Sequence, residues 1–235
     1  VADLARLVTP RTKLLIVNSP CNPTGAVFPC PAVEAIVGLC RAHDLYLLSD
    51  ECYDQIVFEG EHVSPASLWQ DGHVISAFTF SKTYAMTGYR VGYVVTGSEL
   101  ADVINKVLEA TMSCATSFAQ KGAEAALLGP QDVVQQMVAA YRRRRDLVDG
   151  LLRESGMWAS TPSGAFYAMA DISHSGLDSR TFAFALLDAA GVAVAPGTAF
   201  GQVGRDLVRI SLASSDADLG EGIRRMEQFV RAAAG

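Results

Sequence analysis

Short runs of consecutive apolar, β-favouring residues alternate along this chain with stretches whose apolar positions recur at helical spacing. Lys13–Val17, Leu45–Ser49, Val74–Phe80 and Val91–Thr96 are such runs, each bounded by turn-forming residues, and they predict strands. Between the first two, Pro31–His43 places Val33, Ile36, Val37 and Cys40 on one side of a helix. A further helix is predicted over Ala2–Val8. Near-continuous apolar strands separated by helices imply an α/β arrangement with a mostly parallel sheet covered by helices on both faces. From Leu100 to Gly129 the pattern is helical, and Gln131–Ser155 reads as one long helix. After Gly156 the pattern becomes α+β, with strands expected at Ala165–Met169 and Leu207–Leu212 and helices at Ser179–Ala190 and Ala217–Ala233.

In open α/β sheets, ligands gather beyond the carboxyl ends of the strands. Asn22, Asp50 and Lys82 each follow such an end, which argues for one shared site. Lys82 lies in the Ser/Thr-rich stretch Phe78-Thr-Phe-Ser-Lys-Thr83, expected to be a loop, and Arg90 follows eight residues later. A lysine on a tight loop, partly desolvated, is a nucleophile toward an aldehyde. The hydroxyls of Thr79 and Ser81 and the guanidinium of Arg90 suit a phosphate. Taken alone, the stretch reads more readily as a surface lysine and arginine flanking a strand.

Composition narrows the field. Of 235 residues, 50% are hydrophobic and 19% charged, enough for a substantial core. The formal charge of −6 argues against nucleic acid or an anionic membrane as partner. No apolar run is long enough to span a bilayer and no signal peptide opens the chain, so a cytoplasmic location is expected. Cys21, Cys30, Cys40, Cys52 and Cys114 are odd in number and lack metal-like spacing, which implies reduced thiols. His43, His62, His73 and His174 show no ligand spacing either; no metal is expected and none of them is assigned a role. Arg142–Arg145 occupy successive positions around a helix, where solvated faces and an Arg142–Asp146 pair explain them better than nucleic-acid binding.

Four motifs then stand in order: Asn18-Ser-Pro-Cys-Asn-Pro-Thr-Gly25, Leu47-Leu-Ser-Asp-Glu-Cys-Tyr53, the stretch from Ser76 to Tyr93, and Leu207-Val-Arg-Ile-Ser211. In this order and spacing the chain resembles the pyridoxal-phosphate-dependent aminotransferases of class I/II (fold type I) over essentially its whole length. The Ala-Met-Thr-Gly segment after Lys82 and the run Ala140-Tyr-Arg-Arg-Arg-Arg-Asp146 bring it nearest to the bacterial aspartate aminotransferase branch.

The resemblance implies residues 1–140 as the remaining part of a large pyridoxal-phosphate-binding domain, and residues 141–235 as a connecting helix and small C-terminal domain. It implies that Lys82 carries the cofactor as an imine and shuttles the substrate proton. Asp50 is the carboxylate for the ring nitrogen; its neighbour Glu51 is a weaker candidate. Tyr53 and Asn22 contact the phenolic oxygen, and Thr79, Arg90 and Ser81 serve the phosphate. Arg209, with Asn22 nearby, takes the substrate carboxylate in a fork that lysine does not copy. As a residue between Val208 and Ile210 on a strand, Arg209 should point away from both, toward solvent or an acid. Phe166 and Tyr167 are read as core residues near the entry, and Pro196-Gly197 with Phe200-Gly201 as the loop before that strand.

The implied activity is transamination between an L-amino acid, aspartate favoured, and a 2-oxo acid such as 2-oxoglutarate, by a homodimer in the full-length protein. The alternatives are a C–S β-lyase of the same fold or an aminotransferase-like domain without catalysis. The family's glycine-containing phosphate loop, its ring-stacking aromatic and its residues reaching across a dimer have no counterpart before Asn22. With Val1 opening the chain inside what reads as a helix, the sequence is expected to be a C-terminal fragment.

Overall fold

A computed structural model describes residues 1–233. The described chain divides into two compact units, the first comprising residues 1–20 and 27–135, the second residues 21–26 and the chain from 136 onward.

The first unit is α/β. Its sheet holds β1 (Leu14–Asn18), β2 (Tyr46–Asp50), β3 (Val74–Thr79) and β4 (Gly92–Val95) in that spatial order. β1, β2 and β3 are parallel, with Asn18 level with Asp50 and Asp50 level with Ala77. β4 runs antiparallel to β3. The chain opens with α1 (Ala2–Leu7), and between β1 and β2, α2 (Cys30–Ala42) supplies the crossover. Its four residues at helical spacing, Val33, Ile36, Val37 and Cys40, are the four that it buries. Ile36, Val37 and Cys40 pack with Val17, Leu45, Leu47, Trp69 and Val74 into one cluster. α3 (Pro65–Leu68) precedes β3, and α4 (Phe80–Thr83) follows it directly. The sheet is not wrapped evenly, since Ile16 is 64% exposed and all of β4 is exposed.

The helical stretch after β4 is broken in two, α5 (Ser98–Met112) and α6 (Ser117–Leu128), where Ser113 adopts a positive φ of 60°. α7 (Asp132–Ser155) is the long helix that the pattern predicts, and the boundary between the units falls within it, after Gln135.

The second unit is α+β. β5 (Tyr167–Asp171), β6 (Ala195–Pro196) and β7 (Leu207–Ser211) form an antiparallel sheet in the order β5-β7-β6. α8 (Ser179–Ala190) begins where the Asp178 carboxylate accepts the amides of Arg180 and Thr181, and it stops at Gly191 in the left-handed region. α9 (Asp216–Ala233) buries Leu219, Ile223, Met226 and Val230, a helical stripe. Phe182 of α8 meets Phe229 of α9 edge to face, 5.3 Å between centroids.

The arginine run on α7 is less solvated than its composition suggests. Asp146 is engaged by its neighbour Arg145 through Nε at 2.6 Å. Arg145 is only 6% exposed, and its Nη1 donates to the Pro162 carbonyl, which turns Nε toward Asp146. Arg143 and Arg144 both reach Asp216, the first residue of α9. Among the described residues no helix is long and apolar enough to cross a membrane.

Leu47 lies fully buried on β2 at the centre of the first unit's cluster, whereas Ile16 is exposed. Leu47→Ala should lower stability by about 3 kcal/mol, and Ile16→Ala by less than about 0.5 kcal/mol. Denaturant titration followed by circular dichroism reads both.

Candidate active site

The parallel register of the first unit brings Asp50 and Thr79 to the same end of adjacent strands. Asp50 is the last residue of β2 and Thr79 the last of β3, two positions beyond the partner of Asp50. Lys82 does not lie in a loop as expected. It sits in the single turn of α4, whose N-cap is Thr79. The Thr79 hydroxyl accepts the Ser81 amide at 3.1 Å, and a short polar side chain at a strand end favours turning the chain this way. Further bonds staple the turn: the Phe80 amide donates to Val91 O and the Met86 amide to Phe80 O, both at 3.2 Å. Phe80 itself is buried with Val91, Ala119 and Ala123. Lys82 therefore rides on a turn fixed at both ends, with its side chain half-buried.

Arg90 lies at the end of that staple in the left-handed region, φ 52° and ψ 47°. A non-glycine residue there costs about 1 kcal/mol, which the surrounding bonds must offset. Its Nη1 donates to Thr87 O at 3.0 Å, and the residue is exposed. Ser81 is buried within α4.

After Asp50 the chain turns. The Cys52 amide donates to Asp50 Oδ1 at 3.3 Å, and the Ile56 amide to Tyr53 O at 2.8 Å. Tyr53 is buried. The Cys52 thiol is pushed up to about 12, by burial first and then by the nearby Asp50 carboxylate, against an opposing pull from the Lys82 ammonium. The thiol thus registers the charges of Asp50 and Lys82 together, and it stays protonated and inert.

Glu51, set aside in favour of its neighbour, is the first unit's most deeply placed carboxylate, with no exposed surface. It lies 2.7 Å from His62 Nε2 and accepts the Ser64 hydroxyl at 2.9 Å. Burial opposes its charge, yet hydrogen bonds from His62, Ser76 and Ser64 outweigh that and hold the carboxyl below its ordinary value. No sequence spacing announces this cluster, because its members lie on a strand end, a loop and the next strand.

In the second unit, β7 presents Arg209 away from the buried Val208 and Ile210, as strand alternation requires. The side chain meets neither solvent alone nor an acid. Its Nη1 donates to Asn22 Oδ1 at 2.7 Å, and its guanidinium carbon lies 4.2 Å from the Tyr167 ring centroid and 4.9 Å from that of Phe200. Flat guanidinium faces suit such rings, and an amide oxygen satisfies one donor without neutralising the charge. Arg209 Nε is buried with no acceptor among the described residues. Phe166 and Tyr167 are both buried, in keeping with their reading as core. Phe200 lies in a turn of 3₁₀ helix, Gly197–Phe200.

Asn22 is placed by the segment Cys21–Ala26. Its Asn22–Pro23 peptide is cis, and Gly25 O accepts the amides of Ser163 and Gly164 at 2.9 and 2.8 Å. Gly25 has φ +69°, and a Cβ there would meet Pro162 Cβ and come 2.8 Å from Gly164 O. The turn needs glycine on both counts.

The donor set fits pyridoxal phosphate. The first unit offers an amine, a carboxylate, hydroxyls and a guanidinium near the carboxyl ends of adjacent parallel strands. The second offers a guanidinium with an orphaned, buried Nε, which suits a carboxylate. Among the described residues no three His, Cys, Asp or Glu side chains cluster as a metal ion would require.

The family model described as aminotransferase class I and II matches residues 1–226. The arginine–pyruvate transaminase of Pseudomonas aeruginosa is 41% identical over 226 residues, 95% of this chain and 58% of that protein. The aspartate aminotransferase of Pyrococcus abyssi is 40% identical over 237 residues, 98% of this chain and 60% of that one. The crystal structure of the aromatic aminotransferase from Pyrococcus horikoshii superposes with a TM-score of 0.94 at 39% identity, covering 98% of this chain and 63% of that one. The chain belongs to the class I and II aminotransferases. It spans about three-fifths of the length of the curated relatives it matches.

Two outcomes follow. Gly25→Ala should destabilise the second unit by about 2 kcal/mol or more, read as a lowered thermal midpoint. The Glu51 carboxyl titrates below the ordinary 4.5, so its contribution to stability is complete above that pH and is lost as pH falls through the folded value. Denaturant midpoints should stay level from pH 7 to about 5 and decline from there down to about pH 3, and Glu51→Gln should remove part of that decline. An identical slope in that variant would contradict the assignment.

Proposed function

We propose that this chain carries the amine-transfer site of a pyridoxal-phosphate-dependent transaminase, which moves an amino group from an L-amino acid, aspartate favoured, to a 2-oxo acid such as 2-oxoglutarate. The observation that carries the reading is the placement of Lys82 on a stapled turn beside the strand end bearing Asp50, in a chain of the aminotransferase family. Bound pyridoxal phosphate supplies an electron sink for the α-carbon of the amino acid.

Each residue then has a defined task. Lys82 Nζ would hold the cofactor, and its amine would move a proton to and from the substrate α-carbon. Asp50 holds the proton on the cofactor's ring nitrogen, because an acceptor-only carboxylate favours it. Tyr53 and Asn22 donate to the phenolic oxygen, while Thr79, Ser81 and Arg90 hold the phosphate. Arg209 takes the α-carboxylate with its unused donors, kept planar and oriented by Tyr167 and Phe200.

The names of the relatives support transamination, and among them aspartate is one of several donors. A homodimer in the cytoplasm completes the proposal, with no nucleic acid or membrane as partner.

Absorbance titration with pyridoxal phosphate, followed by borohydride reduction, tests the reading. Wild-type protein should give a band that reduction converts to a stable adduct on Lys82, and Lys82→Ala should give none. Aspartate with 2-oxoglutarate should then yield glutamate. Pyruvate from cystathionine, without glutamate, would reassign the site to a C–S β-lyase. Arg209→Lys should lower kcat/KM for the amino donor about 10²-fold or more, since a point charge does not reproduce the fork. A folded, complete protein that never traps the cofactor would sink the proposal.

A further inference from the structure

Every bond that Glu51 makes ties a different part of the first unit to the end of β2. Its amide extends the ladder to Ala77 O at 2.9 Å, and its carbonyl accepts the Asp54 amide at 3.1 Å, closing the turn. Its carboxylate takes His62 Nε2 from the loop that follows and Ser64 Oγ from the residue preceding α3. Ser64 Oγ lies in turn 3.4 Å from Ser76 Oγ on β3. An ionised carboxylate only accepts, so His62 must donate through Nε2. Its Nδ1 is buried with no partner among the described residues, a cost tolerated in order to keep the imidazole on Glu51.

Adjacent strand residues point to opposite faces, so Glu51 enters the core where Asp50 does not. The segment from Asp50 to Tyr53 is therefore anchored from behind by one buried acid. Without it, the turn would be held only by its local bonds at Cys52, Asp54 and Ile56, which would open more often once registration against the loop carrying His62 is lost.

We propose that Glu51 is a positioning residue, which with His62 and Ser64 fixes the turn carrying Asp50 and Tyr53. The tasks of those two residues rest on the transaminase reading; the anchoring of the turn does not. Misplacing a site group by about 1 Å costs on the order of 10²-fold in rate.

Hydrogen exchange on the cofactor-free chain measures the anchoring directly. Glu51→Gln and His62→Leu should speed exchange of the Cys52, Asp54 and Ile56 amides about tenfold or more, leaving the amides of β7 unchanged. His62→Gln, which can present a side-chain amide donor to Glu51, should restore slow exchange. In the same variants the dissociation constant for pyridoxal phosphate should rise about tenfold, and the pH midpoint of the bound cofactor's absorbance should move.

Unchanged exchange at the three amides would overturn the proposal. So would acceleration spread evenly over the chain, or local acceleration with an unmoved pH midpoint, because each describes a purely structural acid. Should Glu51→Gln fail to fold, the His62→Leu and His62→Gln pair decides by the same criteria. A wild type without a Lys82-dependent band would refute the transaminase reading instead, and exchange alone would then decide the positioning.

Discussion

The register of three parallel strands is the constraint on which the first unit's chemistry depends. Parallel pairing sets Asn18 level with Asp50 and Asp50 level with Ala77, so the chain leaves β2 and β3 on the same edge of the sheet. A slip of one residue would turn Leu47 out of the core and exchange the faces of Asp50 and Glu51. Burial of Leu47, Val17 and Val74 against α2 resists that slip. The hydrophobic core thus fixes which of two neighbouring acids is sequestered with His62 and which faces the turn near Lys82.

Polar groups at this edge are held by hydrogen bonds because so much of their surroundings is apolar. Thr79 turns the chain into α4, Phe80 anchors it to Val91, and Arg90 accepts a left-handed backbone to close the excursion. The second unit uses a different device. Arg209's described contacts are an amide oxygen and two aromatic rings, while its Nε lies buried and unmatched. A buried donor without an acceptor costs roughly 1–3 kcal/mol, which an incoming carboxylate recovers. That unmet donor is a stronger pointer to an anionic ligand than charge alone.

Much of this was legible from the chain. The apolar spacing of Val33, Ile36, Val37 and Cys40 names the buried face of α2, and the runs around Leu47 and Val74 name two strands, because burial on both faces leaves little room for polar residues. Asp50, Lys82 and Arg209 stand out through their ordered motifs. The turn of helix under Lys82 was missed, since four residues are too few for periodicity, though Thr79 followed by Ser81 is a capping signal in retrospect. The Asn22–Arg209 bond joins residues 187 positions apart and leaves no local trace. The same holds for Glu51 and His62. An acid after an acid reads as solvent-facing, and only the fold shows that the second lies inside.

The proposed residue roles bear on how far chemistry and substrate choice are separable. Under the proposed reading, Arg209 and Asn22 would address a carboxylate, which every α-amino acid carries. Discrimination between side chains therefore has to come from other contacts, because a group common to all candidates contributes equally to each. Relatives about 40% identical to this chain bear names that specify arginine or aspartate as donor, and a structural neighbour is named for aromatic amino acids. A shared fold with divergent donors is the outcome expected when the groups that carry the chemistry are separate from those that contact the side chain. Family membership constrains the reaction type more tightly than it constrains the substrate.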